Sequence, residues 1–411
     1  MRIIYITSLF SQHAGSGSIQ NLGYINGLGY NVGRENVDVL TVKWPDSMFD
    51  RRMLAMTEAG EIHYDEVSIL TRYFEHGGKA VIERMLGGSR LLRKLKKLAV
   101  ETVYFPSVDK EWIKTYSRLD FSQYDYIVTS SDTKTSHFIG AEIRSNYPNI
   151  KWIQIWGDPW CKDITIEPLT QLRAKSHERR LLAAADIVFY VSAPTLNEMR
   201  VVFPESAKKM HYIPRGYATE VVRADRPVDQ SELVILYSGY LNRTRDISHF
   251  CRALHLFNSG SDIHVRLKIC GVLDTYSKEA IKENSDIEFY GQMDYAGIID
   301  EYHKCDALLY IGNPSGANQI PGKLFDYLGT DNSVLALVYN EEDEASIFLK
   351  NLDRVVLAVN RTDKIVDALQ KIRVEARSKK LKPHFQFSSR SVMKDMLETS
   401  DKFIENKNML F

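Results

Sequence analysis

Short apolar runs alternate with stretches of helical period along most of the chain. Residues 3–9 open with a β-rich run, Ile3-Ile4-Tyr5-Ile6, and a loop with Gly15-Ser16-Gly17-Ser18 follows. Ile19, Leu22, Ile25 and Leu28 then recur at helical spacing, and Val37-Asp38-Val39-Leu40-Thr41-Val42 supplies a second strand. Strand, Gly-rich loop, helix and strand in that order make a βαβ unit, which implies a parallel sheet. Tyr126-Ile127-Val128-Thr129, Trp152-Ile153-Gln154-Ile155-Trp156 and Ala185-Asp186-Ile187-Val188-Phe189-Tyr190-Val191-Ser192 extend it, the last after a helix over 168–184. Residues 46–120 show no such order; they hold Gly77-Gly78, Gly87-Gly88 and a basic helical segment.

A first domain, 1–218, closes near Ile213-Pro214-Arg215-Gly216, and the polar stretch from Arg223 to Gln230, with Pro227, reads as a linker. The pattern then restarts in a second domain, 231–385. Leu233-Val234-Ile235-Leu236-Tyr237 ends at Ser238-Gly239, a helix is expected over 246–258, and Val265-Arg266-Leu267-Lys268-Ile269-Cys270 ends at Gly271. Ile287-Glu288-Phe289-Tyr290 ends at Gly291, and Asp306–Ile311 and Val334–Val338 complete the set. Residues 386–411 are expected to form a C-terminal helix that packs back toward the N-terminal domain. The expected fold class is α/β, with two Rossmann-like, doubly wound parallel sheets whose ligand crevices lie at the carboxyl ends of the strands.

The chain has 411 residues, 44% hydrophobic and 26% charged, a globular balance with room for two domains. Lys+Arg and Asp+Glu are both 53, so no global field draws it to nucleic acid, and a charged partner must meet a local patch. Cys161, Cys251, Cys270 and Cys305 form no C-x-x-C pair and read as reduced, buried thiols. The N-terminal apolar run soon meets Ser11-Gln12-His13, too short for a signal segment, and no stretch is long enough to span a bilayer. A cytoplasmic protein is expected.

Two loops carry the main chemistry. Asn313-Pro314-Ser315-Gly316-Ala317-Asn318-Gln319-Ile320-Pro321-Gly322-Lys323-Leu324-Phe325-Asp326-Tyr327-Leu328 follows a buried strand and turns into an amphipathic helix. Free amides at Gly322, with the Lys323 charge, suit a phosphate, and Asp326 one turn on suits ribose hydroxyls. An ordinary Gly-capped junction fits the same pattern. Ser238-Gly239-Tyr240-Leu241-Asn242-Arg243-Thr244-Arg245-Asp246 places two arginines after a strand, as phosphate forks or as solvated loop residues. Gly15-Ser16-Gly17 lacks the third glycine of a dinucleotide fingerprint, since Gln20 stands there. Asp158, in Trp156-Gly157-Asp158-Pro159-Trp160, either orients an acceptor hydroxyl or caps a turn. His13, His137 and His249 have no metal spacing and read as surface or packed residues. In Ser89–Val100, Leu91, Leu92, Leu95 and Leu98 share one face and Arg90, Arg93, Lys94, Lys96 and Lys97 crowd the rest. Such a helix lies on an anionic membrane or packs, solvated, on its own domain.

In order, the Leu-Tyr-Ser-Gly-Tyr-Leu strand and loop with Arg245-Asp246, Lys-Ile-Cys-Gly, Phe-Tyr-Gly-Gln-Met, Tyr302–Ala307 and Pro321–Leu328 resemble the retaining glycosyltransferases of family 4, of GT-B fold. The N-terminal half matches more loosely, through Gly15–Gly17, Ala185–Val188 and Ile213–Gly216. The resemblance covers nearly all of the chain except about 46–120. It implies that Arg245 contacts the donor diphosphate, with help from Arg243, and that Lys323 and the amides of Gly322 and Lys323 hold the same phosphates. Asp326 stands where the family has a ribose-binding glutamate. Gly15, Gly17 and Gly239 belong to the donor loops, and Gln292 and Met293 lie near the base. Two positions depart: Asn318 replaces a glutamate that reaches the donor sugar, and Gly157 replaces the histidine beside Asp158.

The function implied is transfer of a sugar from a nucleotide-diphosphate sugar to an acceptor hydroxyl, with retention, in bacterial surface polysaccharide or glycoconjugate synthesis. Asp158, Arg245 and Lys323 form the catalytic set. Protein cations stand in for a metal, and no cofactor is expected beyond the sugar-nucleotide co-substrate. The acceptor is a sugar, a lipid-linked glycan or another glycan, with a peripheral contact at the inner membrane face through 89–100 and no nucleic-acid partner. The rivals are a GT-B sugar-nucleotide epimerase or hydrolase and a non-catalytic sugar-nucleotide-binding partner of another transferase. A nicotinamide oxidoreductase ranks last for want of its fingerprint.

Overall fold

The strands assemble into two sheets in which every pairing is parallel. The structure, a computed structural model, describes residues 1–11, 15–68, 90–131, 133–163, 165–223, 231–313, 320–378 and 381–408. Most of the linker, with His13, Gly77-Gly78, Gly87-Gly88, Ser89 and Asn318, lies outside the described residues. The chain divides into Met1–Arg215 with Ser389–Phe411, and Gly216–Ser388.

In the first unit, β1 (Ile3–Ile6), β2 (Val37–Val42), β3 (Ile62–Asp65), β4 (Tyr126–Ser130), β5 (Lys151–Trp156), β6 (Ile187–Tyr190) and β7 (Met210–Tyr212) run in the order β3-β2-β1-β4-β5-β6-β7. β1, β2, β4 and β6 are buried at every position, because helices cover both faces of a parallel sheet. The crossovers include α1 (Ser16–Val32), α2 (Arg51–Ala55), α3 (Arg90–Val103), α4 (Trp112–Thr115), α5 (Thr135–Asn146), α6 (Pro168–Ala184) and α7 (Ala193–Val202). α6 starts on a proline, whose missing N–H costs nothing in the first turn. α7 is capped by Ser192, whose hydroxyl accepts from the Thr195 amide.

α14 (Ser389–Asn408) returns to this unit from the far end of the chain. Its Val392, Met393 and Met396 are fully buried, the Asn31 amide of α1 donates to the Arg390 carbonyl at 2.8 Å, and Phe403 meets His211 edge-on at 5.3 Å.

The second unit carries β8 (Glu232–Leu241), β9 (His264–Leu273), β10 (Ile287–Gly291), β11 (Ala307–Ile311), β12 (Ser333–Val338) and β13 (Val355–Val359), in the order β10-β9-β8-β11-β12-β13. Alternate residues of β8 enter opposite cores. Leu233, Ile235 and Tyr237 pack with α8 (Ser248–Gly260) and α13 (Thr362–Ser378), while Leu236 packs with α10 (Tyr295–Lys304) and α11 (Gly322–Leu328). α9 (Thr275–Ile281) and α12 (Glu344–Lys350) complete the set.

Three features differ from the sequence pattern. Helix α1 begins at Ser16, so Gly15 is its N-cap and Gly17 lies in its first turn rather than in a loop. Apolar periodicity marks only the turns that face the sheet, and Ser16, Gly17 and Ser18 supply no apolar side chain. The β8 strand runs on to Leu241, still paired with β9 through Tyr240↔Val272 and Leu241↔Leu273. Gly239 at φ +117° and Gly271 at φ +145° allow this, where glycine would ordinarily be read as the end of the strand. β3, β7 and β13 have no clear signature: β7 has three residues, and the outward faces of β3 and β13 are half-exposed.

Candidate functional site

In each sheet the chain starts in the middle and later turns back past its first strand, so β1 and β4 in one unit, and β8 and β11 in the other, are neighbours at a switch of direction. The helices leave these two strands on opposite sides, which opens a crevice at their carboxyl ends. Ser238 and Gly239 sit there in the second unit, just beyond the two residues, Ile235 and Leu236, through which β8 pairs with β11.

Tyrosines build the floor. The Ser238 hydroxyl lies 3.0 Å from the Tyr302 hydroxyl of α10, and its amide donates to the Tyr327 hydroxyl of α11 at 3.4 Å. The Tyr327 hydroxyl donates to the Leu309 carbonyl of β11 at 3.1 Å, tying helix to strand. Tyr237 is buried, and its hydroxyl donates to the Tyr240 carbonyl at 3.0 Å while accepting from Lys323 Nζ at 2.7 Å. The ammonium lies 4.0 Å from the centre of the same ring, a cation–π contact. Arg245 donates to the same Tyr240 carbonyl at 3.0 Å, and its own amide is held by Asn242. Two cations thus gather around one phenol, and among the described residues neither is in an ion pair.

The electrostatics follow. Burial first, and then repulsion from Arg245, hold the Lys323 ammonium well below the ordinary lysine range, with Asp326 opposing the shift. An anion at this point would relieve both causes. Helix α11 starts at Gly322, capped by Pro321 with no side-chain bond, so its first amides face the same end of the strand. Gly239 completes the cradle: a Cβ there would lie 3.2 Å from Lys323 Nζ.

The structure therefore brings together Gly239, Arg245, Gly322, Lys323 and Asp326. Arg243 stands apart, with its amide on the Asp274 carboxylate at 2.9 Å and its guanidinium 5.8 Å over Tyr276. Gln292 and Met293 lie just past β10, at the same carboxyl edge, Gln292 exposed and Met293 packed against the core. Gly15, Gly17 and Asp158 belong to the other unit.

Asp158 follows β5 and its side chain is exposed. Its loop is pinned: buried Lys134 donates to the Asp158 carbonyl at 3.1 Å, the Gly157 amide donates to the Ser131 hydroxyl at 3.1 Å, and Glu178 accepts from the Cys161 amide at 2.8 Å. Burial raises the Glu178 carboxyl above the usual range. His137, one of the residues read as surface or packed, is fully buried. It stacks on Trp156 at 4.4 Å, and burial lowers its pKa. At the head of α1, Arg215 donates to the Ser16 hydroxyl at 2.7 Å and to the Ser16 carbonyl at 2.9 Å.

Sequence reasoning did not single out Tyr237, Tyr302 and Tyr327, or Lys134. Lys134 does carry a signal, because a cation immediately before a helix opposes the dipole and asks for an explanation. The tyrosines carry none, since core and site tyrosines look alike in a pattern.

Compared by sequence with protein-family models and with curated proteins, the chain matches none. Compared by structure, it resembles HepE of Anabaena, solved with UDP and glucose, at 11% identity and TM-score 0.53, over 100% of both chains. A glycosyltransferase of Rickettsia africae aligns at 12% identity and TM-score 0.53, over 98% of this chain and 99% of that one. A UDP-GlcNAc 2-epimerase of Methanocaldococcus jannaschii aligns at 12% identity and TM-score 0.53, over 98% of this chain and 100% of its own. At such identities the likeness speaks to architecture, and with the two parallel sheets it gives the chain the GT-B fold, built from two Rossmann-like domains.

Proposed function

We propose that the chain is a glycosyltransferase that binds a nucleoside-diphosphate sugar through the second unit and transfers the sugar to an acceptor hydroxyl. The observation that carries the reading is the pair Arg245 and Lys323, held around Tyr237 at the switch-point edge with neither in an ion pair among the described residues. An unneutralised cationic pair is costly unless an anion occupies it, and a diphosphate matches both its charge and its place. In the transfer step, the bond from the anomeric carbon to the diphosphate oxygen breaks, the bond to the acceptor oxygen forms, the acceptor proton passes to the departing diphosphate, and negative charge develops on that leaving group as it departs. Arg245 and Lys323 stabilise that charge, which lowers the barrier for departure. Asp326 takes the ribose hydroxyls, Gln292 and Met293 flank the base, and Asp158 receives the acceptor. Retention at the anomeric carbon, and a role in surface polysaccharide or glycoconjugate synthesis, come with the family resemblance.

Binding of UDP-, GDP-, dTDP- and ADP-sugars, measured by calorimetry, tests the reading. One donor binds, and Arg245→Ala and Lys323→Ala each weaken it about ten- to a hundredfold, the range for loss of a charge-assisted bond. If no donor binds, or both variants bind like the parent, the site is wrong. Following the bound sugar by NMR then separates the chemistries. Nucleoside diphosphate released only with an added acceptor supports transfer, and C2 inversion without acceptor replaces transfer with epimerisation.

A further inference from the structure

Helix α3 exposes part of its apolar set. Its half-buried side carries Lys97, Leu98, Val100 and Glu101. Lys97 lies 3.3 Å from the Glu167 carboxylate, and Glu101 accepts from the Glu167 amide at 3.0 Å and from the Thr170 hydroxyl at 2.6 Å. These polar bonds pin α3 to the first turn of α6. The outward side carries Leu95, Ala99 and Val103, at i, i+4 and i+8, so they form one stripe about 12 Å long at 1.5 Å per residue. Leu95 is 56% exposed and Val103 57%. A helix in a globular domain normally buries that stripe.

Helix α6 also exposes apolar side chains. Leu169 is 63% exposed and Leu172 68%, on either side of the Thr170 that is bonded to Glu101. The same two helices carry cations. Arg93, Lys94 and Lys96 are exposed on α3 and Arg173 on α6, with the Arg173 guanidinium 3.8 Å over Phe105. No acidic residue occurs between Arg90 and Val100, and Glu101 and Glu167 are engaged with Lys97 and Thr170.

We propose that this α3–α6 face docks on an anionic lipid surface. Leu95, Val103, Leu169 and Leu172 enter the boundary between headgroups and acyl chains, while Arg93, Lys94, Lys96 and Arg173 meet lipid phosphates. Charge complementarity selects this occupant. The exposed apolar residues are Leu and Val rather than the Trp and Tyr that anchor protein interfaces, and the exposed cations on the same two helices suit anionic headgroups. The proposal rests on the first unit alone and stands or falls independently of the nucleotide site.

The test is co-sedimentation of the full chain with vesicles of phosphatidylcholine alone, or of phosphatidylcholine with phosphatidylglycerol. The protein pellets with the anionic vesicles, stays in solution with the zwitterionic ones, and is released by high salt. Lys94→Glu/Lys96→Glu and Leu169→Glu/Leu172→Glu each lower the partition coefficient about tenfold or more, with thermal unfolding unchanged because all four side chains are exposed. If either variant melts early, Lys96→Gln/Leu172→Ser carries the same comparison. Protein that stays in solution with anionic vesicles overturns the proposal, as do variants that pellet like the parent. A dimer in sedimentation velocity without lipid, dispersed by Leu169→Glu/Leu172→Glu, assigns the face to a second copy instead and overturns it too.

Discussion

At the scale of residues, the candidate site depends on two glycines and one lysine. Gly239 stands at φ +117°, where a side chain is strained, and a Cβ would press on Lys323 Nζ at 3.2 Å. Gly239→Ala is expected to cost about 1–3 kcal/mol, by urea denaturation, and to weaken donor binding by displacing the ammonium. At Gly271, φ +145°, a Cβ would run into the Gly239 carbonyl oxygen, which is backbone and cannot swing aside. Gly271→Ala is therefore expected to unpair the ends of β8 and β9, with a larger loss of stability than Gly239→Ala. Lys323 adds a pH dependence. Its folded-state pKa lies below the unfolded value, so the unfolded chain holds more protons in that window and stability rises with pH through it. Below the window the buried charge opposes folding. Lys323→Met should raise stability there by about 1 kcal/mol while losing the donor. A bound diphosphate raises the same pKa, so binding takes up a proton. Donor affinity, by calorimetry, stays level below the free protein's Lys323 pKa and falls as pH rises above it. In Lys323→Ala that fall disappears.

At the scale of elements, packing rather than propensity decides where helices go. The α14 helix holds to the first unit through Val392, Met393 and Met396, all fully buried, and through the Asn31 bond to the Arg390 carbonyl. Met396→Ala is expected to cost about 2–4 kcal/mol in the urea transition of that unit, the usual range for a fully buried methionine. Exposed Lys394 on the same helix should tolerate alanine within about 0.5 kcal/mol. The α3 helix shows the reverse case. Amphipathic spacing was plain in Ser89–Val100, yet the pattern could not say which face points inward. The ion pair of Lys97 with Glu167, and the bonds of Glu101 to the head of α6, decided that from residues about seventy positions away.

At the scale of the whole molecule, donor binding should stabilise the chain by linkage, about 2.7 kcal/mol at a donor concentration a hundred times the dissociation constant. The rise in melting temperature with donor is expected in the parent and, at the same donor concentration, cut in Arg245→Ala and Lys323→Ala to what about 0.4–1.4 kcal/mol of stabilisation gives. The sequence by itself determined the strand–helix alternation. The apolar run of β2 matches the observed strand and the 168–184 helix matches α6, because both are read from contiguous residues. It also determined that two parallel sheets form, since βαβ units close locally and with one hand. Edge strands such as β3 and β13 escaped, because a half-solvated strand needs no continuous apolar run. Only the tertiary structure decided which charges meet. Arg243 and Arg245 are two residues apart, and one points to Tyr276 while the other joins Lys323, which is distant in sequence, at the Tyr237 phenol. Periodicity encodes the faces of elements, whereas a site is made where faces from remote elements converge, and that convergence exists only once the sheet has set their order.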